Sequence, residues 1–113
     1  MQKRRNITLE DMRASDSMDR DYVLSALKVY YNCNKEKYGI EKLGLFGSFA
    51  RNEAGPDSDV DILISLREPN LFTYATISRQ LETVFERHID LISEKAILKD
   101  DFRARVEKEV IYA

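Results

Sequence analysis

Three short apolar runs, set apart by turns and by stretches of helical period, constrain this chain more than any other feature. Ile40 to Phe46, about Asp59 to Ser65 and about Ile89 to Ile92 have the length and β-branched content of strands. From about Asp19 to Lys37 the pattern is helical. Val23, Leu27, Tyr30 and Tyr31 recur there at spacings of three and four, and Gly39 supplies a C-cap. The strongest helix follows Asn70, a good N-cap, with Tyr74, Ile77, Leu81, Val84 or Phe85, and His88 on one face. Glu94 to about Glu109 is charged and helical, with Ile97, Phe102 and Val106 as its sparse apolar side. Val110 to Tyr112 either end that helix or add an edge strand. The order helix, strand, strand, helix, strand, helix predicts an α/β (α+β) layer, a small sheet flanked by helices and covered mainly on one face.

Residues 1–18 read as an N-terminal extension and residues 19–113 as a single domain. Within the extension, Thr8 and Asp11 have capping-box-like spacing, so a short turn and a frayed tail are both compatible with it. At 113 residues folding buries roughly two-thirds of the unfolded surface, enough for a core without staples. The lone cysteine, Cys33, excludes an intrachain disulfide and a multi-cysteine metal site. A net charge of -2 lacks the strongly basic face of a bulk nucleic-acid binder. The longest uncharged stretch, Pro69 to Ser78, is far short of the roughly 20 apolar residues of a membrane span. Lys3, Arg4 and Arg5 are followed by no apolar run, so they do not begin a signal peptide. The expectation is a soluble, cytoplasmic protein.

The chemistry concentrates between Gly47 and Asp61. Asp59 and Asp61 lie two apart at the start of a strand, which sends both carboxylates to one face. Val60, Ile62 and Ile64 go to the other face, which packs against helices. Two acids about 6–7 Å apart along a strand repel each other unless a cation lies between them, and Mg²⁺ favours such oxygens while keeping positions for water and phosphate. Spacing alone also fits a strand start whose acids simply face water. Gly47-Ser48 follows a strand, an arrangement that aims backbone N–H groups and a hydroxyl at an anion such as a triphosphate. Asp90 is an acid inside the apolar run Ile89-Asp90-Leu91-Ile92, costly unless paired or bound to metal. Arg51 is placed either to hold phosphate or to form a salt bridge with a loop acid.

Rival motifs fail on particular residues. Asp57, Asp59, Asp61 and Glu68 have EF-hand offsets, but Ile62 stands where that loop needs glycine. Gly44-Leu45-Phe46-Gly47 has the spacing of a KH loop with the wrong central residues, and no P-loop ending exists. Ser48 lacks the glycines of a nucleophile elbow. The single histidine, His88, falls on the apolar face of a helix, which suits a helix-end or core residue better than a base.

Gly47-Ser48, ten residues and Asp59-Val60-Asp61 reproduce the signature of the polymerase-β-like nucleotidyltransferase superfamily. Leu45 to Arg51, Ser58 to Ile64 and Ile89 to Ile92 resemble the minimal nucleotidyltransferase (MNT) family in particular, over roughly residues 20–112. Asn52 departs from the glycine that this family often carries after the arginine, which bears on loop geometry. The resemblance implies that fold, a pair of Mg²⁺ ions and ATP as nucleotide donor. It implies Asp59, Asp61 and Asp90 as metal ligands and catalytic acids, with Asp90 helping to activate the attacking hydroxyl. Gly47 and Ser48 would bind the β- and γ-phosphates, supported by Arg51. It further implies a HEPN-domain ribonuclease toxin as partner, with AMP passing to a tyrosine of that toxin and the chain acting as antitoxin. Homo- and hetero-oligomers are both compatible with this. Two other readings stand beside it: a binding module that masks a partner's active site with catalysis vestigial, and a stand-alone transferase acting on a small hydroxyl compound.

Overall fold

The computed structural model describes residues 18–96 and 99–113. The turn expected at Thr8 and Asp11, and Ile97 of the expected C-terminal helix, lie outside the described residues.

Helix α1 spans Arg20–Tyr38. The Asp19 side chain caps it by accepting from the Tyr22 N–H, and Lys35 and Lys37 complement its negative end. Gly39 stops it in the left-handed conformation, at φ 66°. Strand β1 (Ile40–Phe46) runs into a single helical turn, α2 (Gly47–Ala50). A loop leads to β2 (Val60–Leu66), so Asp59 stands just before the strand rather than on it. Helix α3 (Leu71–Phe85) opens on Asn70, whose side chain accepts from the N–H groups of Phe72 and Thr73. Strand β3 (Ile89–Ser93) follows.

The sheet order is β3-β2-β1, with β4 (Ile111–Tyr112) on the far side of β1. Strands β1 and β2 are antiparallel, as are β1 and β4, while β2 and β3 run parallel. A parallel pair needs a crossover, and α3 provides it. The mixed sheet with flanking helices matches the expected fold class.

One expectation of the C-terminal region changes and one open alternative is decided. The helix expected from Glu94 is a 3₁₀ turn, Glu94–Ala96, and then α4, Asp100–Glu109. The open alternative at Val110 to Tyr112 resolves to the edge strand. Gly44 permits it: a Cβ there would come within 2.6 Å of the Val110 side chain and 3.0 Å of the Tyr112 ring. Helix α3 also ends earlier than the periodicity suggests. Glu86 terminates it at φ 53°, so His88 belongs to the connection to β3 and its side chain is 60% exposed.

The strands alternate as expected. Val60, Ile62 and Ile64 of β2 are fully buried against Val23 and Leu27 of α1 and Ile77, Leu81 and Phe85 of α3. Burial of each such side chain stabilises the fold by about 1.5–3 kcal/mol. Tyr30 ties the two helices together by donating to Gln80 at 2.7 Å, and Gln80 donates on to Tyr38 at 3.0 Å. Among the described residues, α4 packs on the opposite face through the small cluster of Phe46, Leu63 and Val106. The acids emerge beside this thinner cover.

Candidate active site

Strand register builds the site. Asp61 pairs with Asp90 across the parallel β2–β3 ladder, and with Phe46 across the antiparallel β1–β2 ladder. The residue after Phe46 is therefore brought against Asp61. Gly47 has φ 77°, and a Cβ on it would land on the Asp61 carboxylate. Glycine is required here by close approach as well as by conformation. Gly47, Ser48, Arg51, Asp61 and Asp90 line one cleft of about 360 Å³.

Asp59 is delivered by the 51–59 loop. Ser58 Oγ accepts from the Gly55 N–H at 2.8 Å, and Arg87 Nη1 donates to the carbonyls of Gly55 (3.0 Å) and Ser58 (2.7 Å). The Arg87 guanidinium also lies over the Phe49 ring, 5.2 Å from its centroid. Asn52, where the family often has glycine, sits at φ 62°. Asparagine is among the side chains that tolerate this region, so the departure preserves the turn.

The acids fall into two overlapping groups. Asp61 and Asp90 are neighbours inside the cleft. Asp59 and Asp90 flank His88, whose Nδ1 is 3.5 Å from Asp59 and 3.9 Å from Asp90. One ligand atom from each of Asp59, His88 and Asp90 lies within 4.8 Å of the others. Burial first, then the negative charge of Asp90 and a hydrogen bond with it, push the Asp61 carboxyl up to about 6, against the opposing pull of Arg51. An acid held this way gains most from a cation beside it. The hard oxygen donors and the open exposure of Asp59 and Asp90 fit a divalent ion that keeps some of its water.

The salt-bridge alternative for Arg51 is present in this structure. Its guanidinium donates to Glu53 at 3.0 Å and to Glu109 at 2.9 Å. Glu109 also accepts from the Gly47 N–H at 3.1 Å. Sequence reasoning missed Glu109, Arg105 on the cleft wall and the loop anchor Arg87. It placed His88 on the helix face because the apolar spacing carries on past the true helix end. No local pattern marks Glu109, since only the return of the chain through β4 brings it home.

Next to this cleft lies a larger, mostly apolar groove of about 840 Å³, lined by Leu71, Tyr74 and Leu91 among others. It shares Ile92 and Phe102 with the acidic cleft. No helix among the described residues is long and apolar enough to cross a membrane.

A strand-turn glycine and serine facing acids on two adjacent strands is the layout of a nucleotidyl-transferring domain. The family model for the nucleotidyltransferase domain matches residues 27–113, and the chain belongs to that family. It is therefore a nucleotidyltransferase. Among its relatives is the protein adenylyltransferase MntA of Thermococcus cleftensis, 38% identical over 79 residues, which are 69% of this chain and 79% of that one. A solved structure described as a candidate minimal nucleotidyltransferase superposes with a TM-score of 0.71 at 29% identity, covering 83% of this chain and 95% of its own. A complex of a tri-AMPylated Shewanella oneidensis HEPN toxin with an MNT antitoxin shares the fold, with a TM-score of 0.52 at 12% identity over 85% of this chain and 69% of the other.

Proposed function

We propose that this nucleotidyltransferase moves AMP from ATP to a hydroxyl of another protein, namely a tyrosine of a HEPN-domain ribonuclease partner, and so acts as an antitoxin. The observation that carries the reading is the register of Asp61 with Asp90 in the cleft that Gly47 and Ser48 also line, with Asp59 set beside Asp90 around His88. The MntA relative, named a protein adenylyltransferase, and the AMPylated HEPN toxin of the structural neighbour support the nucleotide and the partner.

Asp59, Asp61 and Asp90 would hold Mg²⁺, which would neutralise the acids and supply Lewis-acid stabilisation of the charge that develops on the transferred phosphoryl group. The Gly47 N–H, the Ser48 hydroxyl and Arg51 receive the β- and γ-phosphates, so that negative charge meets fixed donors. Asp90, the acid shared by the Asp61 pair and the Asp59–His88 group, accepts the proton of the attacking hydroxyl. The bond from the α-phosphorus to the bridging oxygen breaks, pyrophosphate leaves, and AMP stays on the acceptor.

The test is incubation of the chain with ATP, Mg²⁺ and a HEPN-domain partner encoded beside it, read by intact mass. An AMP-sized increase on a partner tyrosine is expected, absent with the Asp59→Ala plus Asp61→Ala protein. No increase, together with full neutralisation of the toxin by the double variant, would overturn the reading in favour of masking.

A further inference from the structure

Glu109 is the last residue of α4, a place where the helix dipole favours cations and an acid adds nothing to helix stability. Its side chain is nevertheless only 14% exposed, against 65% for Glu53, the other carboxylate on Arg51. Both oxygens are used: Oε2 accepts from the Gly47 N–H at 3.1 Å, and Oε1 accepts from Arg51 Nη1 at 2.9 Å. The carboxylate thus brings negative charge into a cleft that already holds Asp61 and Asp90. It is compensated there by the same two donors that the proposed function gives to phosphate.

We propose that Glu109 is a built-in competitor for the nucleotide's phosphates. It occupies the Gly47 N–H and Arg51 in the nucleotide-free protein and leaves them when a triphosphate arrives. An N–H cannot serve two anions at full strength, and a carboxylate left beside a triphosphate would be repelled. A place exists for it to go. Arg105 stands one turn earlier on the same helix, at the i, i+4 spacing that allows pairing, and lines the same cleft. The competition lowers affinity for the triphosphate, and for the pyrophosphate product that leaves the same donors.

This inference rests on the reading that Gly47 and Arg51 receive phosphate. Calorimetric titration of the unmodified protein, Glu109→Gln and Glu109→Ala with a non-hydrolysable ATP analogue and Mg²⁺ tests both. Removing the competing charge is expected to lower Kd about tenfold, the weight of one modest ionic contact. A residue that merely shaped the loop would raise Kd when replaced. If the unmodified protein binds and neither variant binds more tightly, this inference fails alone. If neither the unmodified protein nor the variants bind, the nucleotide reading fails and takes it along. Binding by the variants only supports both. Should the variants fail to fold, a structure of the unmodified protein with the analogue decides: a phosphate oxygen on the Gly47 N–H supports the competition, and the Glu109 carboxylate still there overturns it.

Discussion

The two faces of the sheet differ in how they are closed. One is sealed by α1 and α3 over Val60, Ile62 and Ile64, all fully buried. The other has, among the described residues, α4 with a small cluster of Phe46, Leu63 and Val106, and beside it the acidic cleft. The same strand feeds both, because alternation sends Asp61 and Leu63 away from the helices that cover Ile62 and Ile64. The sealed face supplies stability, and the thinly covered face leaves carboxylates room to meet a solvated ligand. The comparison predicts that damage to the two faces shows up in different measurements.

The largest effect belongs to the acids. Asp59→Ala combined with Asp61→Ala should reduce AMP transfer about a thousandfold or more, corresponding to several kcal/mol of charge stabilisation. The melting temperature of the metal-free protein at pH 7 should hold or rise, since two repelling carboxylates are gone. Labelled AMP incorporation and a thermal melt on the same sample check this. A large drop in melting temperature would break the comparison, because it would make the acids structural.

Core truncations sharpen the contrast like for like. Leu81→Ala on the sealed face should cost about 3–4 kcal/mol in denaturant unfolding, since the residue is fully enclosed and the site cannot collapse. Leu63→Ala on the thin face should cost about 2 kcal/mol, with only a small cluster to lose contacts and solvent close by. Equal costs would show that α4 seals its face as well as α1 and α3 seal theirs. Gly47→Ala ranks next in stability, at about 1–3 kcal/mol of backbone strain, and it should weaken nucleotide binding by pushing Asp61 aside.

What was legible follows the same division. The sealed face appears as periodicity, because each of its residues is apolar for the reason that its neighbours are. Val23, Leu27, Ile77 and Leu81 could all be placed from spacing, and the capping roles of Asn70 and Gly39 from their chemistry. An acid in an apolar run marked Asp90 and alternation set the face of Asp61, but their meeting was implied by the family resemblance alone, since no local signal sets the register of β2 against β3. The 94–109 helix was drawn too long, because charged residues of good helical propensity do not mark where the first turn begins. His88 was misplaced for a related reason. Apolar spacing cannot register that Glu86 adopts a left-handed conformation and ends the helix. Glu109 was invisible, since its partners are 58 and 62 residues away along the chain.

The smallest effect is the pH dependence of the metal-free protein, and its sign follows from Asp61. Its folded carboxyl is raised to about 6 from an ordinary value of 3.8, by burial first and then by Asp90. The folded state therefore holds the proton more tightly than the unfolded chain. That stabilising contribution is fully present below about 3.8 and is lost as pH rises through about 6. With chelator present, unfolding should thus occur at a higher temperature near pH 5 than near pH 7, by a few degrees at most for a partly solvated group. Asp61→Asn should flatten this slope while leaving Leu81→Ala and Leu63→Ala proteins to follow it. Added Mg²⁺ should weaken it as well, because a cation beside the carboxylate favours the charged form that burial and Asp90 oppose. A slope that persists in Asp61→Asn would move the titration elsewhere in the molecule and leave the acidic cleft without its electrostatic signature.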